Sequence, residues 1–332
     1  MARTWHSMTA VGLTAVLITT ACGTGEPAST ASADAPSPEE VDLAGGSLAQ
    51  DYDLSGVDLT VGSKDFTESV ILGKITDYAL RAAGVNTTDQ TGLMGSNIVR
   101  TSLENGDVDV YWEYAGTGWT QYLQNDEMIR DDIEQYERTA EDDLEQNGIE
   151  WIGPASFGNQ YGIARSADAP GPAGEVDSLD EFSDFVREHP EEATFCGSAE
   201  FMDREWESFQ GFYDAPFKAA DVYQMALALN YVNVAKSDPC NFAEIFTTDA
   251  RLESMDLQVV EDSETYFTTQ LAAITVRRET AEEHPELRDL GLELGEALTE
   301  ETIISLNGMV DLDGFGEEEA ALYFLQQEGF IG

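Results

Sequence analysis

From Val57 onward the chain alternates between two apolar periods. DLTVG, residues 58–62, is a short apolar run of strand type. SVILGKITDYALRAAG, 69–84, follows at helical spacing, with Val70, Ile71, Ile75, Tyr78, Ala79 and Ala82 on one face and Gly84 as the stop. SNIVRTSLENG, 96–106, predicts a second helix ending at Gly106, and DVDVYW, 107–112, the next strand. Residues 129–147 pattern as an acidic surface helix and 151–166 as an extended crossing. Further helices fit 178–188, 219–230, 281–298 and 317–328, and strands fit 257–261 and 271–277. Strand–helix–strand–helix order predicts an α/β fold with a largely parallel sheet and helices on both faces. Two extended crossings, the second near 260–272, predict two lobes. There is no internal repeat.

In open α/β sheets, ligands sit beyond the carboxyl ends of the strands. Three turns lie at such ends: SKDFTE after the first strand, WEYAGTG after the strand at 107–112, and FGNQYG at the crossing. The segment DVYWEYAGTGW, 109–119, carries Tyr111, Trp112, Tyr114 and Trp119 and runs straight into glycines. A buried strand favours Val and Ile, and a surface loop rarely keeps Trp and Tyr, but a ligand site uses both. Trp112 alternates with Val110 and reads as core, while Tyr114 reads as a ring facing a ligand. Met94 and Met225 read as core.

Charge narrows the function. The 332 residues hold 65 acids and 16 bases, a net charge of −49. Such a surface repels phosphate backbones and argues against nucleic acid as a partner. The plain reading is a solubilising coat, since no run has the spacing of a calcium loop. An apolar content of 42 % suffices for a packed core.

The N-terminus reads as a signal. Arg3 precedes the apolar stretch from Met8 to Ile18, then TTAC ends in Cys22. This resembles a bacterial lipoprotein signal, with residues 1–21 removed and Cys22 lipidated, although Thr19 stands where such signals prefer Leu. Residues 23–53 are rich in small and acidic residues and predict a flexible tether. Nothing else approaches the ~20 apolar residues of a membrane-spanning helix, which predicts an extracytoplasmic body attached by lipid. Cys196 and Cys240 remain, and in an exported protein they most simply pair as a structural disulfide. With three His in all, one of them in the signal, no metal site is expected.

The blocks VGSKDFTESVILG (61–73), GLMGSNIV (92–99), ENGDVDVYWEYAGTG (104–118), SAEFMDRE (198–205) and FTTDARL (246–252) occur in order. Together they resemble the substrate-binding proteins of osmoprotectant ABC transporters, which bind glycine betaine, choline and related quaternary amines. The resemblance spans roughly residues 57–330. It implies the type II periplasmic-binding-protein fold: two α/β lobes joined by two crossover strands, residues 57–157 with 263–332 forming one lobe and 158–262 the other. It also implies a monomeric receptor without cofactor, serving a membrane permease and its ATPase subunits.

A trimethylammonium group carries full charge and no N–H, so aromatic faces suit it through their quadrupoles. The resemblance makes Tyr114 a cage ring and Thr117 a contact of the ligand carboxylate. It adds Tyr161 from the crossing, with Asn159 beside it where relatives often have Asp. Lys64 and Arg204 take the places of the family's carboxylate-binding bases, which favours glycine betaine or another carboxylated betaine over choline, with a choline or carnitine receptor as the alternative within the family. Phe246 stands where relatives often have Tyr, and Tyr223 adjoins the position, here Gln224, of another family Tyr. Gln270 replaces a Tyr on the return crossing.

Plainer readings stand beside these. Lys64 would pair with Asp65 or Glu68, Arg204 with Asp203, Glu205 or Glu207, and Asp249 with Arg251. A secreted hydrolase using an Asp/Glu pair is the different-class alternative, with Asp109 and Glu113 as the acids sharing an aromatic strand end. No GxSxG, HExxH or Cys–His pairing supports an enzyme. An exported scaffold would not need Lys64, Tyr114, Tyr161 and Arg204 at strand ends.

Overall fold

The computed structural model describes residues 41–332 apart from 126, 128, 268 and 269. The expected signal, Cys22 and the first part of the tether lie outside the described residues. The later part of the expected tether is packed instead. Leu48 is buried, Val41, Leu43 and Tyr52 pack against the same core, and Asp42 and Gly332 exchange backbone hydrogen bonds of 3.0 and 2.9 Å. These apolar anchors in an otherwise polar run dock this stretch.

Among the described residues, eleven strands are arranged in two sheets. They are β1 (Asp58–Lys64), β2 (Asn86–Leu93), β3 (Val110–Tyr114), β4 (Ile149–Ile152), β5 (Gly158–Asn159), β6 (Tyr161–Ser166), β7 (Phe195–Gly197), β8 (Val222–Gln224), β9 (Phe242–Phe246), β10 (Leu257–Val260) and β11 (Gln270–Arg277). The first sheet has the order β2–β1–β3–β11–β4, with β5 pairing β11, and the second has the order β10–β6–β9–β7–β8. Each has its own core. One is built from residues such as Ile71, Trp112, Ile274 and Phe324, and the other from Phe182, Phe195, Phe209 and Phe242.

Each sheet is largely parallel, as the strand–helix order predicts, with one strand reversed in each. β11 runs antiparallel to β3, β4 and β5, and β6 runs antiparallel to β9 and β10. These are the strands by which the chain enters each sheet from the other. A strand arriving from the cleft side must run against strands whose carboxyl ends point toward the cleft. The ends of β1, β3, β5 and β9 and the starts of β6 and β11 therefore meet at one place.

The site rests on a few helices, labelled here α1 (Thr67–Ala82), α2 (Ser96–Asn105), α3 (Asp132–Gln146), α4 (Leu179–Glu188), α5 (Ala199–Arg204), α6 (Leu227–Val234), α7 (Glu286–Ala297), α8 (Glu300–Asp311) and α9 (Glu317–Gln327). The apolar face of α1 is buried at Ile71, Leu72, Ile75, Tyr78 and Ala79. At Gly73 a Cβ would come within 2.7 Å of Thr91, so a glycine lets α1 lie close to the sheet. α4 starts with a capping box between Ser178 and Glu181. The helix expected at 281–298 is divided into Arg278–Glu283 and α7 by Pro285, which cannot donate within a helix. The helix expected at 219–230 is not formed. Val222 and Tyr223 instead pair with Phe195 and Cys196 as β8, and α6 begins at Leu227.

Cys196 and Cys240 are joined, with Cα atoms 5.7 Å apart, in a small apolar cluster with Val234 and Ala243. The bridge closes a 44-residue separation. Loop-closure entropy predicts that the double substitution Cys196→Ser/Cys240→Ser lowers unfolding free energy by about 4 kcal/mol. Urea unfolding of oxidised wild type against the variant checks this. Equal midpoints and slopes would mean that the bridge adds nothing.

Candidate functional site

Four rings stand in a row at the meeting point of the strand ends. Tyr114 ends β3, Phe66 lies between β1 and α1, Phe246 ends β9 and Tyr161 begins β6. Successive centroids are 6.0 Å (Tyr114–Phe66), 5.7 Å (Phe66–Phe246) and 4.9 Å (Phe246–Tyr161), the last two pairs stacked. The first two rings come from the first sheet's side and the last two from the second sheet. The row is therefore closed by Phe66 on Phe246.

Seven of the eight expected ligand residues line one cavity of about 30 Å³ beside this row: Lys64, Tyr114, Thr117, Asn159, Tyr161, Arg204 and Phe246. Phe66, Gln160, Glu200 and Gln270 share its wall. Tyr223 does not line it. That ring packs on the apolar cluster around Cys196 and Cys240, because β8 turns it toward the disulfide. A larger cleft of about 960 Å³ adjoins the small cavity, with Phe66, Asn159, Tyr161, Glu200 and Phe246 common to both. Met94, read from the sequence as core, is 73 % exposed on that cleft, since the glycines flanking it carry the chain outward.

The bases in the wall already hold acids. Lys64 Nζ is 2.6 Å from Glu113 Oε1, and both residues are buried. Its partner is thus neither Asp65 nor Glu68. Glu113 also accepts from the hydroxyls of Tyr122 at 2.6 Å and Tyr111 at 3.0 Å, and from the Tyr114 N–H at 2.8 Å. The Lys64 ammonium lies 5.1 Å from the centroid of the Tyr114 ring. Arg204 Nη1 donates to Glu200 Oε1 at 2.9 Å, one helical turn back on α5, and Ser96 donates to the same oxygen at 2.9 Å. Arg204 Nε and Asn159 Oδ1 are buried and carry no hydrogen bond, leaving one open donor and one open acceptor on cavity residues.

Glu68 is the residue the sequence pattern did not single out. It stands in the first turn of α1 and is buried. Its Oε1 accepts from the Tyr114 hydroxyl at 2.7 Å and Asn159 Nδ2 at 2.9 Å, and its Oε2 from the Thr248 hydroxyl at 2.7 Å and Asn307 Nδ2 at 3.1 Å. These donors come from β3, β5, the turn after β9, and α8. Burial pushes its carboxyl up, opposed by the four hydrogen bonds. Burial and the neighbouring Glu68 push the Tyr114 phenol up in turn. Only the TE of SKDFTE signals this site, because its partners are far apart along the chain.

Trp112 is core, as its alternation with Val110 predicts, and its indole N–H donates to Thr76 at 2.7 Å. Arg251 pairs with Asp249 at 2.7 Å and also with Asp311 at 2.9 Å. Among the described residues, no group of three or more His, Cys, Asp or Glu side chains is placed to hold a metal ion. No helix among them is long and apolar enough to cross a membrane.

Glu244, on β9 at the rim of the larger cleft, is pushed up to about 7, chiefly by burial. The Ser198 backbone N–H and hydroxyl and Asn230 oppose the shift by donating to it, while nearby Glu200 adds to it. A raised carboxyl adds stability that is complete below its unfolded value of 4.5 and is lost as pH rises through 7. Glu244→Gln removes this dependence. Relative to wild type, the variant gains up to roughly 3 kcal/mol between pH 5 and 8. Chemical unfolding of both proteins across that range checks it, and parallel pH profiles would refute it.

The comparisons with known proteins agree with this architecture. Residues 57–327 match the model of the substrate-binding domain of ABC-type glycine betaine transport systems. A glycine-betaine-binding protein of Pseudomonas aeruginosa is 31 % identical over 280 residues, covering 82 % of this chain and 88 % of the relative. A protein of Helicobacter pylori, described as an ergothioneine transport permease and binding protein, is 28 % identical over 273 residues. That match covers 82 % of this chain but 48 % of the relative, so the chain spans about half its length. The solved structure of apo YehZ from Escherichia coli shares the fold, with a TM-score of 0.61 and 25 % identity, over 82 % of this chain and 99 % of that one. The chain belongs to the family of substrate-binding domains of ABC-type glycine betaine transport systems, extracytoplasmic transport receptors rather than enzymes.

Proposed function

We propose that the protein receives a quaternary-ammonium zwitterion, glycine betaine first among them, and delivers it to a membrane permease driven by ATPase subunits. The observation that carries this reading is the row of four rings, contributed by both sheets and set beside a donor-bearing wall. The ammonium enters between Phe66 and Phe246, with Tyr114 and Tyr161 completing the cage. The ligand carboxylate meets Thr117 and the open Nε of Arg204, with Lys64 behind. Residues 57–157 with 263–332 move as one lobe and 158–262 as the other, hinged at the two crossings. The protein is a monomer held to the outer face of the membrane by lipid on Cys22.

Choline or carnitine is the second reading within the family, and for choline, which has no carboxylate, it draws on a specific contact. Lys64 and Arg204 are each occupied by an acid, Glu113 and Glu200, so the clamp for a ligand carboxylate is weaker than the presence of two bases suggests.

Calorimetric titration with glycine betaine, choline, carnitine and ergothioneine separates the readings. Glycine betaine is expected to bind tightest, and Tyr114→Ala to weaken it at least about tenfold, the worth of one well-placed ring face. Choline binding tighter than glycine betaine would keep the cage and sink the clamp. Silence from all four ligands would sink the reading.

A further inference from the structure

Charge around the candidate cavity does not balance. Lys64 is cancelled by Glu113 and Arg204 by Glu200. Of the two buried acids of the adjoining cleft that pair with no base among the described residues, Glu68 and Glu244, it is Glu68 that bonds residues of the cavity wall. Its four partners, Tyr114, Asn159, Thr248 and Asn307, are all uncharged donors, and among the described residues no Lys or Arg makes an ion pair with it. A buried carboxylate without a counter-ion is costly unless hydrogen bonds hold it, and here four do. Its place in the first turn of the 16-residue helix α1 adds the favourable end of the helix dipole.

The arrangement also fixes what the charge acts on. Tyr114 donates its hydroxyl to Glu68 Oε1, so the carboxylate holds the ring in place and makes it richer in electrons. Asn159, on the same oxygen, lines both cavities. Phe66, two residues before Glu68, is the ring that closes on Phe246. A shape-only role would call for an uncharged amide or an apolar group here, because an uncompensated acid is the worst filler for a dry site.

We infer that Glu68 is the specificity-determining counter-charge of the binding site, a positioning residue that acts through the Tyr114 ring to make the cavity select a positively charged ammonium over an uncharged group of the same shape. The inference rests on the quaternary-ammonium reading and deepens it. The ligand supplies the cation that the protein withholds. Burial pushes the Glu68 carboxyl up, and a bound ammonium relieves that opposition. The excess negative charge also explains why two bases in the wall are neutralised by their own acids: an unpaired Lys64 or Arg204 would cancel Glu68 instead of leaving it for the ligand.

The test compares two substitutions that separate charge from shape. Glu68→Gln keeps the size and loses the charge, and Glu68→Asp keeps the charge and loses reach. Glycine betaine and choline are titrated calorimetrically into wild type and both variants. Their carbon analogues, the anion tert-butylacetate and the neutral neohexyl alcohol, in which carbon replaces the ammonium nitrogen and removes its positive charge, are titrated in parallel. Ammonium affinity is expected to fall at least about tenfold in Glu68→Gln and less in Glu68→Asp, with the affinity for neohexyl alcohol unchanged and that for tert-butylacetate not weakened. A structural role gives the opposite order, because Gln preserves the packing better than Asp.

Gln equal to or better than Asp, or equal losses for ammonium and analogue, overturns the inference while leaving the binding reading intact. No ammonium binding by wild type overturns both. Circular dichroism checks folding. Should Glu68→Gln not fold, Tyr114→Phe, which keeps the ring and frees it from the carboxylate, is expected to show the same selective loss. Its binding both ammonium ligands as wild type does would overturn the inference.

Discussion

Everything at the candidate site depends on one constraint of chain direction. The chain leaves the first sheet through β5, builds the second, and returns through β11. Each entering strand has to start at the gap between the sheets. Asn159, at the end of β5, pairs with Gln270, at the start of β11, and Tyr161, at the start of β6, pairs with Phe246, at the end of β9. Those two pairs place four side chains of the cavity wall within one layer. Lys64 and Tyr114 join them because β1 and β3 end on the same side. Six wall positions are thus a consequence of topology, before any side chain is chosen.

The second theme is where a chain with −49 net charge spends its few bases. Some, such as Arg187 and Lys218, sit at the surface beside acids, but others are held inside the fold. Arg100 makes two bonds of 2.7 and 2.6 Å to Asp143, which also accepts from Trp151, and that group locks α2 to α3 and β4. Arg277 joins Asp109 and two backbone carbonyls at the far end of the first sheet. Arg288 ties α7 to Glu150 on β4. Bases paired in this way fix geometry more than they stabilise the fold, since desolvation at the buried Arg100 and solvent screening at the half-exposed Arg288 offset most of the attraction. Lys64, at the end of β1, and Arg204, at the end of α5, follow the same rule, which is why their positions in the sequence did not reveal their partners.

How far the sequence could be read follows from the physics of each element. α1, α4 and α9 have clean apolar faces and clear ends, so pattern alone places them to within about two residues. β2 is missed because NTTDQTGL has no apolar alternation; it is an edge strand held by pairing with β1, with its side chains in water. β8 is misread as helix because a sheet neighbour, not local spacing, decides its state. At the site, rings next to glycines and bases after strands are local signals, and seven of the eight positions chosen on them or by family resemblance line one cavity. Tyr223 was placed by its neighbour in register and lies elsewhere. Glu68 and Phe66 could not be ranked from the sequence, because their significance lies in donors and rings up to 239 positions away.

The ring row sets the energy scale for closure. Phe66 against Phe246 across the two sheets is worth about 1 kcal/mol beyond its buried area, while a cation on such a face gains about 0.5 to 2 kcal/mol. Inserting an ammonium exchanges one for the other, so ring contacts alone leave bound and empty closed forms nearly balanced. Apolar matching of methyl groups does not break the tie either, because an uncharged group of the same shape would match as well. What differs between a bound ammonium and a bound hydrocarbon is the charge seen by Glu68 through Tyr114. The same carboxylate also takes a hydrogen bond from Thr248 on the second-sheet side and one from Asn307 on α8, and Asn307 reaches the Thr248 carbonyl at 3.2 Å. One buried group thus ties the second-sheet side to the Tyr114 ring, and on the proposed reading any change that moves Thr248 away from Glu68 also loosens its hold on the ring that would meet the ligand.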